Sequence, residues 1–400
     1  MIDSRIRGLY KLPVARRIAH LEELGWLAAA DARMLRGGHH VLSVGAADRM
    51  IENVIGVFGL PLAVAPNFLV DGRDCVVPLV VEEPSIVAGL SAAAAIARAS
   101  GGFEVGNAES LLTGQIHVAG VSDVDRAIAA LEQQKEALID AANAVHPRLV
   151  ARGGGVRDIE PRLLELPGGD AVIAVHILVD TCDAMGANLV NTVCEALAPD
   201  IADACNGDVA LRILSNLADR SLYTARARFA LPEDERDAII LANDIALVDP
   251  YRAATHNKGI MNGIDAIAIA MGNDWRAVEA GVHAFAARTG QYRSLTNWRV
   301  ADDGQLCGEI TLPLKVGTVG GTLAGNPAAA LGLALTGAGS ADELAGIMAA
   351  SPILLYQFWM FVAPGLYDKE KRLMVPVVVL STIFFVGGAF FGYFIVFPFG

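Results

Sequence analysis

The chain has 400 residues, enough for two or three domains around a sizeable core, and 54% of them are hydrophobic. Its 44 acidic residues outnumber 31 basic ones, for a formal net charge of −13. That balance argues against a nucleic-acid binder, because neutralising phosphates needs clustered Lys and Arg.

In chain order, RIAHLEELGWLAAADARML (Arg17–Leu35) predicts one amphipathic helix, after an N-terminus without the apolar core of a secretory signal. IENVIGVFGLPLAVAPNFLV follows as apolar runs punctuated by Gly and Pro. VVPLVVEEPSIVAGLSAAAAIARAS predicts a strand running into an Ala-rich helix that starts near Pro84 and Ser85. Residues 108–215 alternate: LLTGQIHVAGV as strand, VDRAIAALEQQKEALIDAAN as helix, DAVIAVHILVDT as strand, DAMGANLVNTVCEALAP as helix, with VALRILSNL closing the set. That order predicts a small α+β domain inserted into the chain. Residues 216–345 return to long helices, broken by the strand-like LCGEITLPLKVG and the Gly-rich VGTVGGTLAG.

The composition changes near Ala350. Residues 351–400 hold 13 of the 25 aromatic residues, and Leu373–Gly400 is a run of 28 residues without charge. About 20 apolar residues suffice for a helix to cross a bilayer, so this run carries a membrane-span pattern; a buried core helix is the alternative.

Some chemistries are absent. No GxGxxG follows a strand, and neither a P-loop nor a GxSxG elbow occurs. The cysteines (Cys75, Cys182, Cys194, Cys205 and Cys307) form no CxxC pair and no zinc spacing, which predicts reduced cytoplasmic thiols and no metal site.

Three segments are candidates for a site. In DTCDAMGANLVNTV, Gly186 lets backbone approach a ligand, and the helix after it offers free N–H groups that favour a pyrophosphate. A plain helix capped by Asp183 is the alternative. Glu82 and Glu83 end an apolar strand, where alternation sends one inward as a desolvated general acid; two solvated glutamates are the alternative. In THNKGIMNGIDAIAIAMGND, apolar positions 260, 261, 264, 267, 268 and 271 are spaced for a helix that Lys258 precedes and Asp274 follows. Such a helix separates its ends by roughly 20 Å, so local spacing does not unite the two charges.

ENVIGVFGLPLAVAPNFLVDG, PLVVEEPSIVAGLS, DTCDAMGANLVNTVCEALAP, RAATHNKGIMNGIDAIAIAMGNDWRAVEAG and LPLKVGTVGG occur in this order. The set resembles the bacterial class II 3-hydroxy-3-methylglutaryl-CoA reductases over about residues 1–348. The resemblance implies interconversion of hydroxymethylglutaryl-CoA and mevalonate by two nicotinamide hydride transfers, often in the degradative direction. It implies an α+β fold. A large helix-rich CoA-binding domain (1–107 and 216–348) would hold an inserted small, non-Rossmann, dinucleotide-binding domain (108–215). The site would lie between two subunits of a homodimer. By matching positions, Glu83, Lys258 and Asp274 would be catalytic. Ser85, Arg252 and Asn262 would contact substrate, with Asn216 a further candidate for that pocket, and Asp183, Met185, Gly186 and Asn188 would contact the dinucleotide.

The chain departs from that pattern twice. Where NAD-using relatives grip the adenosine ribose with an acidic residue, this chain has His146, so NAD is expected and NADP stays open. The family continues into a flap domain whose histidine protonates the departing CoA thiolate, but the last of eight histidines here is His283. Residues 351–400 instead resemble a fragment of TatC, the multispan component of twin-arginine translocase. A chimeric C-terminus carrying a transmembrane-type segment is therefore expected, with membrane association only if that segment is real and inserts, and with weakened thioester turnover.

Overall fold

The computed structural model describes residues 2–39, 41–107, 109–320 and 327–354. Residues 355–400, which hold all but the first four residues of the TatC-like segment and its whole apolar run, lie outside the described residues. Among those described, no helix is long and apolar enough to cross a membrane.

The N-terminal region folds as α1 (Val14–Glu23), α2 (Ala29–Arg36) and α3 (Val44–Ala47). The single helix expected over Arg17–Leu35 is thus two, because Gly25 turns the chain at φ 82° between them. Next come β1 (Leu62–Val70), β2 (Arg73–Val80), α4 (Ile86–Ala99) and β3 (Phe103–Asn107). The middle of the chain holds β4 (Leu111–Ala119), α5 (Val124–Val145), α6 (Pro147–Val150), β5 (Gly155–Glu165), β6 (Ala171–Asp180), α7 (Ala187–Cys205) and β7 (Asp208–Leu214). Then follow β8 (Leu222–Phe229), α8 (Glu233–Val248), α9 (Pro250–Ala270), α10 (Trp275–Ala286), β9 (Thr296–Val300) and β10 (Leu306–Pro313). Two helices, α11 (Pro327–Thr336) and α12 (Ala341–Ala350), and a 3-10 turn at Ser351–Leu354 complete the described chain.

The strands form two sheets. One is six-stranded, in the order β2-β1-β3-β8-β10-β9; the other is four-stranded, in the order β5-β6-β4-β7. Every pairing in the smaller sheet is antiparallel. It therefore lacks the crevice at the carboxyl ends of parallel strands where a Rossmann fold seats its dinucleotide. Its apolar face, with Ile116, Val118, Ile159, Ile173, Val175 and Ile177, packs against Leu131 and Leu138 of α5 and Val190, Leu197 and Ile201 of α7. Each fully buried aliphatic side chain there contributes about 1.5–3 kcal/mol.

Helix α9 runs through the larger core, packing on β2, α8 and α10. It starts at Pro250 because Asp249 caps it, accepting from the Tyr251 N–H at 3.1 Å and the Arg252 N–H at 3.3 Å. Lys258 therefore sits inside the helix rather than before it, which corrects the expected start. The apolar positions from Ile260 onward mark only the half of α9 that is buried most fully.

Candidate active site

Strand β2 ends at Val80, and Glu82 and Glu83 follow it as exposed residues. Of the two readings of this pair, the solvated one matches these exposures, because alternation stops where the ladder stops. Ser85 then takes φ 75° and ψ −10°, a left-handed conformation seldom adopted by a residue with a Cβ, and precedes α4 without a side-chain cap. Backbone strain of this sort persists where the surrounding structure imposes it, and it clusters at functional sites.

This turn carries Glu83 to α9, where Lys258 Nζ donates to Glu83 Oε2 at 2.5 Å. The side chains are 60% and 43% exposed, so the pair adds at most about 1 kcal/mol to stability. Its interest lies in the position of the charges. Asn262 stands four residues on from Lys258, on the same stripe of α9, and Arg252 lies half-buried in the first turn.

Asp274 goes elsewhere. Past the end of α9, Gly272 reverses the chain at φ 64°, and Asp274 caps α10 by accepting from the Ala277 N–H at 3.1 Å. Within one chain Asp274 forms no ion pair with Lys258. It lines a cavity of about 210 Å³ with Met185, Asn191, Asn216 and Lys315.

The other wall of that cavity comes from the DAMGAN segment. Gly186 precedes α7 at φ 92°, and a Cβ there would lie 2.4 Å from the Thr181 side chain. Asp183 is not the cap considered for this helix. Its carboxylate accepts from the Ala341 N–H at 3.0 Å and its carbonyl from the Thr318 N–H at 2.9 Å. The N-terminus of α7, 19 residues long, thus has no side-chain cap, and its first N–H groups and dipole suit a pyrophosphate. Exposed Asn188 lies in that first turn. The group the sequence implies, a nicotinamide dinucleotide, fits these residues: an uncapped helix start for phosphates and an adjoining cavity for a ring.

A short strut joins the two walls. The Asn273 side chain brackets Gly317, accepting from its N–H at 2.8 Å and donating to its carbonyl at 3.2 Å. Gly317 lies so close to the Met185 backbone N that a Cβ would sit 2.5 Å from it. The cap residue Asp274 and the DAMGAN segment are therefore held in one register. Sequence reading singled out neither Asn273 nor Lys315. Lys315 did leave a signal, a lone cation directly after the apolar strand ITLPL. Asn273 left none, because its partner Gly317 is 44 residues away.

The hydroxymethylglutaryl-coenzyme A reductase family model matches residues 13–354. The 3-hydroxy-3-methylglutaryl-coenzyme A reductase of Archaeoglobus fulgidus is 46% identical over 353 residues, 87% of this chain and 80% of that protein. A structure of the class II 3-hydroxy-3-methylglutaryl-CoA reductase from Streptococcus pneumoniae bound to NADPH in open conformations is 41% identical. It superposes with a TM-score of 0.84 over 88% of this chain and 97% of that one. A separate likeness, to the Sec-independent protein translocase protein TatC of Desulforapulum autotrophicum, is 63% identical over 57 residues, 14% of this chain and 21% of that protein. On the match that spans most of its length, the chain belongs to the hydroxymethylglutaryl-coenzyme A reductase family.

Proposed function

We propose that the chain interconverts 3-hydroxy-3-methylglutaryl-CoA and mevalonate, with Glu83, Lys258 and Asp274 as its catalytic residues. The observation that carries this reading is the 2.5 Å contact between Lys258 and Glu83, made across 175 residues of sequence at the edge of a strained turn. The bound dinucleotide supplies or takes up the hydride. As negative charge builds on the thioester or aldehyde oxygen, Lys258 is the fixed cation that stabilises it. Glu83, within hydrogen-bond reach of Lys258, holds the proton this oxygen takes up once a ligand or second chain shields it from water. Arg252 is suited to the free carboxylate of the substrate, with Ser85 and Asn262 as further polar contacts. Asp183, Met185, Gly186 and Asn188 hold the dinucleotide, and Asn216 lines its ring cavity. On this reading residues 1–107 and 216–348 bind the CoA thioester, and 108–215 bind the dinucleotide.

The site is completed by a second copy. Asp274 faces the dinucleotide cavity while Lys258 and Glu83 stand apart from it, so one chain holds two half-sites. Residues 41–60 support an interface, since Ile55 is 103% exposed and Phe58 90% exposed, along with Met50 and Ile51. In the homodimer, Asp274 of one copy holds Lys258 of the other charged and oriented.

The expected NAD gives way to a second reading, NADP, at one position. His146 ends α5, and its Nε2 is buried with no hydrogen-bond partner among the described residues. A 2′-phosphate offers that nitrogen a partner that a ribose hydroxyl gripped by a carboxylate does not need. Comparing kcat/KM for NADH and NADPH decides it: NADPH should be preferred, and His146→Asp should move the preference towards NADH.

The TatC-like tail is foreign to the reductase fold, on this reading, and the body works in the cytoplasm. That the family match stops at residue 354, leaving nearly all of the tail unmatched, supports the first statement; the five free cysteines, four of them buried, support the second. The assay that tests the proposal follows dinucleotide oxidation with hydroxymethylglutaryl-CoA and with mevaldehyde. Lys258→Ala and Glu83→Gln should lower kcat by about 10²–10⁴ while dinucleotide affinity stays unchanged. Full turnover in either variant would remove these residues from the chemistry.

A further inference from the structure

The cavity lined by Asp274 has a buried cation in its wall. Lys315 directly follows the end of β10 by two residues and is 8% exposed. Its Nζ donates to the Ser110 hydroxyl at 2.9 Å and to the Ser110 carbonyl at 3.2 Å. An ammonium carries three donors, so one is left beyond Ser110, and no carboxylate among the described residues pairs with it directly. Burial pushes its pKa down, while Asp180, Asp342, Cys182 and Asp183 pull the other way. Buried charges in proteins are paired or coordinated, and here the side chain lines a cavity that holds none of its partners.

The surroundings make Lys315 a rigid fixture. The Ser110 hydroxyl in turn lies 3.2 Å from the Tyr223 hydroxyl, to which it donates, and Tyr223 donates its one proton to Asp342 at 2.5 Å. On its other side the chain continues into Gly317, bracketed by Asn273 and pressed against Met185. The ammonium is thus fixed relative to both the DAMGAN segment and Asp274.

We propose that Lys315 is a cofactor-contacting residue: its remaining N–H donates to the carboxamide oxygen of a nicotinamide ring seated by Met185, Asn216 and Asp274, and its charge favours the neutral reduced ring over the cationic oxidised one. This rests on the dinucleotide reading of the cavity and adds to it a residue and an electrostatic preference. A carboxamide oxygen is an uncharged acceptor that suits an ammonium with one donor to spare. The oxidised ring carries a positive charge and the reduced ring none, so only the oxidised form is repelled. At the effective dielectric of a protein site, two like charges this close shift the ratio of affinities on the order of tenfold or more.

The test uses the full chain and measures Kd for NADPH and for NADP+ by quenching of tryptophan fluorescence. Lys315→Met should shift the ratio of the two constants about tenfold towards the oxidised form, whereas Lys315→Arg, which keeps the charge, should leave it near the unsubstituted value. A ratio unchanged in folded Lys315→Met would overturn the proposal. A second measurement needs no substitution. The carbonyl stretch of a carboxamide-labelled dinucleotide, followed by infrared spectroscopy, should move below its value in water on binding to the unsubstituted chain; no such movement would equally overturn it. Gly186→Val separates the two layers of the argument. If it abolishes binding while Lys315→Met leaves the ratio unmoved, only the assignment of Lys315 falls. If it leaves dinucleotide binding intact, the dinucleotide reading falls and this proposal with it.

Discussion

Lys258 Nζ meets Glu83 Oε2 at 2.5 Å, while Asp274, on the cap of the next helix, faces away from both into a cavity with Met185 and Asn216. A lysine stabilising an oxyanion has to keep its proton when a ligand covers it, and a carboxylate partner is what prevents its loss. Glu83 cannot serve as that partner and as proton donor at once. On the proposed reading the two carboxylates have separate tasks, and the holding task falls to the Asp274 of a second copy.

The strut between the two walls gives the first prediction. Gly317→Ala places a Cβ 2.5 Å from the Met185 nitrogen, a backbone atom that cannot rotate away. The clash should cost about 1–3 kcal/mol of stability and displace the DAMGAN segment, raising the dinucleotide Kd more than the thioester Kd. Thermal melts and separate ligand titrations check this; equal changes in both constants would mean that Gly317 serves packing alone.

A second prediction concerns Asp265, on α9. Burial pushes its carboxyl up to about 7, with Glu279 adding to the effect, and its Oδ1 has no hydrogen-bond partner among the described residues. Because the folded pKa is raised above the unfolded value of 3.8, the folded chain binds the extra proton in this window. Stability is then fully present at about pH 4 and is progressively lost as pH rises through about 7. Asp265→Asn, neutral throughout, should raise Tm by several degrees at pH 8 and by much less at pH 5. An equal gain at both values would show that the carboxyl does not titrate in this range.

The third prediction concerns proton supply to the leaving thiolate. No histidine is among the residues lining the cavity, and residues 351–400 contain none. The 400-residue chain should therefore turn over hydroxymethylglutaryl-CoA about 10²–10⁴-fold more slowly than mevaldehyde, which has no thiol to expel. Equal rates with the two substrates would locate a thiolate acid elsewhere in the chain.

Much of the architecture could be read from the chain, and the failures have physical causes. The strands LLTGQIHVAGV and DAVIAVHILVDT and the helix after Asp123 announce themselves by period and cap, and the structure has them as β4, β6 and α5. Strand β8 is harder to read, although Tyr223, Ala225, Ala227 and Phe229 alternate inward. Its outward Arg226 and Arg228 give it a polar face, and their partners Glu309 and Asp303 are distant in sequence. The Asp249–Pro250 start of α9 was available as a local signal, but the stronger apolar period beginning at Ile260 drew the boundary past Lys258. At the site, the residue types were legible from the motifs, whereas their grouping was not. That Glu83 meets Lys258, and that Asn273 braces Gly317, depends on long-range packing that no local spacing encodes.

The central claim is that Lys258 of one copy works with Asp274 of the other, and subunit complementation tests it most directly. Lys258→Ala and Asp274→Ala homodimers are prepared separately, each inactive, then dissociated, mixed and reassociated. If the site spans the two copies, random pairing makes half the dimers mixed and gives each of these one intact site, so activity should recover to about a quarter of the unsubstituted value. If Lys258 and Asp274 act within one chain, no mixed dimer holds an intact site and no activity returns.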